Sequence, residues 1–125
     1  MSLFHAVVLI DHHSARIQQF DPDQVEAHTI KDHPHATRQH NSGVRTEHEF
    51  FGEVCDALAG VSEVLVTGAH KAQSDFRHYV EKHRPALNPK IVGWQTVDHP
   101  TDGQLVALAR HYFHTLDRSG MAAPT

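Results

Sequence analysis

Glu63-Val64-Leu65-Val66-Thr67-Gly68-Ala69-His70-Lys71-Ala72-Gln73-Ser74-Asp75-Phe76-Arg77-His78-Tyr79-Val80-Glu81-Lys82-His83-Arg84-Pro85 is the stretch on which the fold turns. Glu63 to Thr67 reads as a short strand, since Val64, Val66 and Thr67 are β-branched and Leu65 keeps the run apolar. Gly68 ends it. Phe76, Tyr79 and Val80 then recur three and four apart, as the inward face of a helix requires, and Pro85 closes that helix because it cannot continue one. A strand joined to a helix through one glycine turn is half of an α/β layer.

The same alternation continues on both sides. Ile91 to Val97 is another strand, and Thr101-Asp102-Gly103-Gln104 is a capping box that opens a helix carrying Leu105, Leu108, Ala109, Tyr112 and Phe113. Upstream, Thr46-Glu47-His48-Glu49 has the same form, ahead of Phe50, Phe51, Val54, Cys55 and Leu58 at helical spacing, with Gly60 at the end. The chain begins with an apolar strand, Phe4 to Ile10. Turn chemistry at Asp11-His12-His13-Ser14 and Asp21-Pro22-Asp23 then separates Ala15–Phe20 and Val25–Ile30 as the next strands of a meander. Three strands followed by helix, strand, helix, strand, helix predict an α/β fold, a mixed β-sheet sandwiched by helices. Residues 1–118 read as a single α/β domain and 119–125 as a flexible tail.

Composition narrows the function classes. The 125 residues suffice for one buried core, and a formal charge of −4 builds in no general attraction to nucleic acid. Any RNA contact must be local or helped by protonation of some of the 14 histidines, whose charge appears below about pH 6.5. Tighter binding of polyanions at mildly acid pH is therefore expected. A single cysteine excludes an intrachain disulfide and suits a reducing cytoplasm. Set in an apolar helical pattern, Cys55 reads as a small buried hydrophobe rather than a nucleophile. The start has no basic region, and Ala6–Ile10 is too short for a signal segment or a membrane span, so a cytoplasmic protein with no membrane partner is expected.

Three places carry candidate chemistry. Residues 31 to 45 are polar, basic and histidine-rich, and they predict a long loop, functional or mobile, whose plainest reading is a solvated surface. Lys31, Arg38, Arg45 and partly charged histidines such as His40 would contact phosphates there. Alternatively His33, His35, His40 and His48 would ligate a divalent metal, three imidazoles leaving a catalytic position open and four closing a structural site. Asp11-His12-His13, directly after a strand, is similar to the Asp-His-His signature of metal-dependent phosphoesterases. A polar hairpin turn is the preferred reading, since no Asp-x-Asp and no second apolar strand ending in an acid completes a two-metal site. Gly68, His70 and Lys71 form a strand-to-helix turn whose helix N-terminus favours anions, without the spacing of a Walker loop. Ser62 and Ser74 lack the glycine context of a nucleophile elbow.

The 63–83 stretch, with Gly68, Asp75, Phe76, Tyr79 and Val80, resembles the strand–glycine–helix element of the C-terminal domain of class-1 peptide release factors and Pelota. Ile91 to Gln104 and the hairpin from Ala6 to Phe20 are similar to that domain's later strand, final helix and opening strands. The chain also resembles small bacterial proteins described as translational machinery proteins. The resemblance implies an α/β sandwich related to the kink-turn-binding ribosomal protein fold. It further implies a non-enzymatic docking module whose partner is the ribosome or a translation factor. In that family, peptide release belongs to another domain, with a Gly-Gly-Gln loop that this sequence lacks. Arg38, His40, Arg45, Gly68, His70 and Lys71 are then the expected RNA- or partner-binding residues, and no cofactor is needed. The rival expectation is a metal-dependent hydrolase built on Asp11, His12 and the loop histidines. A homodimer joined through an exposed sheet edge or helix face is a third.

Overall fold

The computed structural model describes residues 4–31 and 42–122. Along them run β1 (His5–Ile10), β2 (Ser14–Phe20), β3 (Val25–Lys31), α1 (Ser42–Ala57), β4 (Glu63–Gly68), α2 (His70–His83), β5 (Ile91–Thr96) and α3 (Asp102–Ala122), with a 3-10 turn at Asn88–Lys90. The strands form one sheet in the order β3-β2-β1-β4-β5. β1, β2 and β3 are an antiparallel meander, whereas β4 lies parallel to β1 and β5 parallel to β4. The sheet is therefore mixed, and its helices cover both faces.

Alternation along β1 explains the layering. Ala6, Val8 and Ile10 point to one side and join Phe50, Phe51, Val54 and Leu58 of α1 and Phe76 and Val80 of α2 in the larger core. Val7 points to the other side, where Phe20 and Leu65 meet Leu105, Ala109 and Phe113, spaced four apart along α3. Each of the larger of these side chains contributes roughly 1.5–3 kcal/mol when fully buried. Cys55 is 3% exposed within the larger core, as its helical setting predicts, and burial pushes its thiol up to about 12. It is not a nucleophile near neutral pH.

Local signals fix most boundaries. Asp21 accepts hydrogen bonds from the backbone N–H groups of Asp23 and Gln24 (both 2.8 Å), which builds the β2–β3 turn and lowers its carboxyl pKa. The capping box before α3 is reciprocal: Gln104 N–H donates to Thr101 Oγ1 (3.1 Å) and Thr101 N–H donates to Gln104 Oε1 (2.9 Å). The box at Thr46 is a correction. α1 begins at Ser42, so Thr46 lies a turn inside it and Arg45 is helical rather than part of a loop. Ser42 is itself a residue type that opens helices, and starting there adds a hydrogen-bonded turn that outweighs the cost of Gly43. α3 runs to Ala122, past Ser119 where a tail is expected. Among the described residues, no helix is long and apolar enough to cross a membrane.

Candidate functional site

The carboxyl ends of the parallel strands β1, β4 and β5 lie side by side, at Ile10, Gly68 and Thr96. In open α/β sheets this edge is where loops diverge and leave a crevice. Here a recess of about 440 Å³ opens there, walled by Asp11, Ser14, Arg16, Thr29, Lys31, Ala69 and the 97–100 loop. Ser14 and Lys31 face each other across the β2–β3 register, as do Arg16 and Thr29, so hydroxyls and cations share one wall. Arg16 is held in place: its guanidinium donates to Asp102 Oδ1 (2.6 Å) and to the Pro100 carbonyl (2.6 Å). Asp98 and His99 close the opposite rim. His99 sits at φ +48°, in the left-handed region that non-glycine residues adopt at a cost, and its side chain is almost fully exposed.

Gly68 forms the floor. It is buried at φ +136°, and a Cβ there would run into the carbonyl oxygen of Ile10. Only glycine lets β4 approach β1 this closely as it turns into α2. Gln73, also buried, donates through Nε2 to the Gly68 carbonyl (2.7 Å) and to the Gln95 carbonyl (3.0 Å), tying the turn to the end of β5. His70 and Lys71 open α2 and are exposed beside this floor. Ala69 at its N-cap provides no side-chain cap. Lys71 Nζ lies 3.3 Å from both oxygens of Asp75, and His12 Nε2 reaches the same carboxylate at 3.7 Å. Asp11 and His12 are part of the β1–β2 turn, which Asp11 N–H closes on the Ser14 carbonyl (2.8 Å). His12 thus shares the Asp75 carboxylate with Lys71, as in an ion-pair cluster. Among the described residues, no three His, Cys, Asp or Glu side chains stand together so as to hold a metal ion.

A second groove, of about 260 Å³, runs between α1 and α2 and is lined by Glu47, His48, Asp75, His78, Tyr79, Lys82 and His83. His48 packs against Tyr79 (ring centroids 5.5 Å apart) and His83 (5.4 Å), and Tyr79 against His83 (4.9 Å).

The structure thus brings Gly68, His70 and Lys71 to one edge of the sheet and places His48 on the α1–α2 face. His33, His35, Arg38 and His40 lie outside the described residues, as does the side chain of Arg45, whose backbone is in the first turn of α1. Gln73, Arg16 and His99 were not singled out by sequence. Gln73 had a signal: a glutamine three residues before Phe76 occupies an inward position where the pattern calls for an apolar residue. His99 had a weaker one, an Asp-His-Pro triplet between a strand and a capping box.

No protein-family model matches the chain, and no curated protein does. Solved structures do. Pelota from Thermoplasma acidophilum is 19% identical, with a TM-score of 0.58 over 91% of this chain and 32% of its own. Pelota from Archaeoglobus fulgidus is 17% identical, with a TM-score of 0.59 over 94% of this chain and 39% of its own. An archaeal translation termination factor is 13% identical, with a TM-score of 0.58 over 94% of this chain and 41% of its own. The chain spans about a third to two-fifths of the length of these proteins. At such identities the likeness is one of fold: this mixed sheet with its three helices is the α/β architecture of one portion of Pelota and of the archaeal termination factor.

Proposed function

We propose that the chain is a docking module of the translation apparatus, binding the ribosome or a translation factor without peptide-release activity of its own. The observation that carries this reading is the fold likeness, which takes in nearly the whole chain but only a portion of each matched protein, one of them a translation termination factor by name. A fold of this kind suits adhesion, because binding needs a pre-formed surface and not a complete catalytic apparatus. The surface is the carboxyl edge of the sheet. Lys31, His70, Lys71 and His12 stand exposed or half-exposed around a floor fixed by Gly68 and Gln73. Arg38, His40 and Arg45, whose side chains lie outside the described residues, are proposed as further cations for such a partner.

Sedimentation of the untagged protein with ribosomes, at low and at high salt, tests this. Co-sedimentation that falls with salt is expected, and K31E/K71E should weaken it at least about tenfold if both cations meet phosphate. Absence from every ribosomal fraction, together with failure to retain a purified translational GTPase, would remove the reading.

A further inference from the structure

The two edges of the sheet are built differently. β5 is guarded: its register shifts by a residue against Val64 and Leu65, its Val92 carbonyl accepts from Tyr112 Oη (3.0 Å), and Arg77 lies over Trp94. Shifts and covering side chains of this kind keep an edge from pairing further. β3 has none of these devices. It is seven residues long, pairs with β2 in an unbroken register, contains no proline, and every residue but Ile30 is exposed. Val25 is one of two large hydrophobic side chains left open among the described residues, at 42%. Among the described residues nothing pairs with its outer side.

We infer that β3 is a homodimer interface, joining two copies of the chain antiparallel, edge to edge, about a two-fold axis at Ala27. A two-fold normal to the sheet must pair residues lying on the same face, so their numbers sum to an even value. A centre at His28 sets Glu26 against Ile30 and Val25 against Lys31. A centre at Glu26 sets two glutamates face to face. A centre at Ala27 sets Glu26 of each copy against His28 of the other on the α1 side. On the α3 side it places Val25 against Thr29, with the two alanines meeting at the axis. Of these three registers only this one meets Glu26 with a donor: an imidazole N–H donates to a carboxylate twice, and Val25 packs on the β-branched side chain of Thr29. Neither Glu26 nor His28 makes an ion pair among the described residues, so both are available. One strand pair is a small interface, so the dimer dissociates on dilution.

Sedimentation velocity over about a hundredfold range of concentration reads the equilibrium directly. The unmodified chain should pass from monomer to dimer. A27K sets two lysines at the axis on an exposed position and should move the midpoint at least about tenfold towards higher concentration, with an unchanged melting temperature, measured at a dilution where both proteins are monomeric, as the control for folding. H28E sets glutamate against Glu26 and should do the same, whereas E26K/H28E restores opposite charges and should restore the dimer. A chain that stays monomeric throughout overturns the inference. So does a dimer that A27K leaves intact, or a double variant no better than H28E.

Discussion

Gln73 holds a corner of the sheet through backbone acceptors rather than by packing. Its amide bridges Gly68 and Gln95 from a buried position, and the Gly68 carbonyl also accepts from Val97 N–H at 3.3 Å, a weaker contact. Gln73→Leu would keep the volume and leave the Gln95 acceptor without its side-chain donor. It should cost about 1–3 kcal/mol, read as a lower urea midpoint with an unchanged slope. A loss below a few tenths would mean that water or backbone takes over both bonds. Cys55 offers a prediction in pH. Its thiol value is raised to about 12 in the native state, against about 8.5 for an unfolded chain. The native form therefore keeps a proton that the unfolded form releases, so this group's contribution is constant below about pH 8.5 and declines from there towards pH 12. Unfolding at pH 7 and pH 10 should show a larger alkaline loss for the parent chain than for Cys55→Ala. The native thiol should also resist alkylation until the chain opens. Cys55 was legible because its neighbours set the helical period. Gln73 and Gly68 were legible only as types, since the acceptor each one meets, at Gln95 or Ile10, comes from a strand distant in sequence.

Elements declare themselves where a local signal has no rival. The capping box at Thr101 forms as its spacing predicts, because Pro100 stands immediately before it and bars an earlier start. The box at Thr46 does not, because Ser42 offers an equally good start one turn upstream. Thr101→Ala should destabilise the protein by about 1 kcal/mol, and adding Gln104→Ala should cost less than the sum of the two single changes. Full additivity would mean that the two bonds act separately. The break in β5 was hidden for a different reason. Val92 and Gly93 both face α3, because the pairing shifts there, and a Cβ at Gly93 would collide with the Tyr112 hydroxyl. Gly93→Ala should cost about 1–3 kcal/mol in the parent and clearly less in a Tyr112→Leu background, where the colliding ring is gone. Equal costs in both backgrounds would place the strain in the backbone. No pattern within 91–97 predicts this, since the reason lies on a helix twenty residues away.

At the scale of the whole molecule, the order of elements was readable and the order of strands was not. Alternating strand and helix signals call for layers, but nothing local says that β1 sits in the middle, between β2 and β4. That position follows from burial: β1 is apolar on both sides and so needs a core above and below. The two cores are unequal. On one side α1 and α2 cover a continuous aromatic and aliphatic layer, while on the other α3 alone covers Val7, Phe20 and Leu65. α3 is held near its start by Arg16 on Asp102, and farther along by Phe113, packed at a tilt against His5 with ring centroids 4.2 Å apart. Less buried area on one side means that side opens first. Native-state hydrogen exchange in rising urea should therefore show amides of Leu105 to Phe113 exchanging at a lower opening free energy than those of Val64 to Val66. Phe113→Ala should widen that gap, since a buried Phe→Ala change costs about 3–5 kcal/mol and here falls on the smaller core. If α3 and β4 share one opening free energy in both proteins, the two layers unfold as a unit. The His5–Glu63 contact (2.9 Å), which joins β1 to β4 beneath Phe113, would then be the structural link between them.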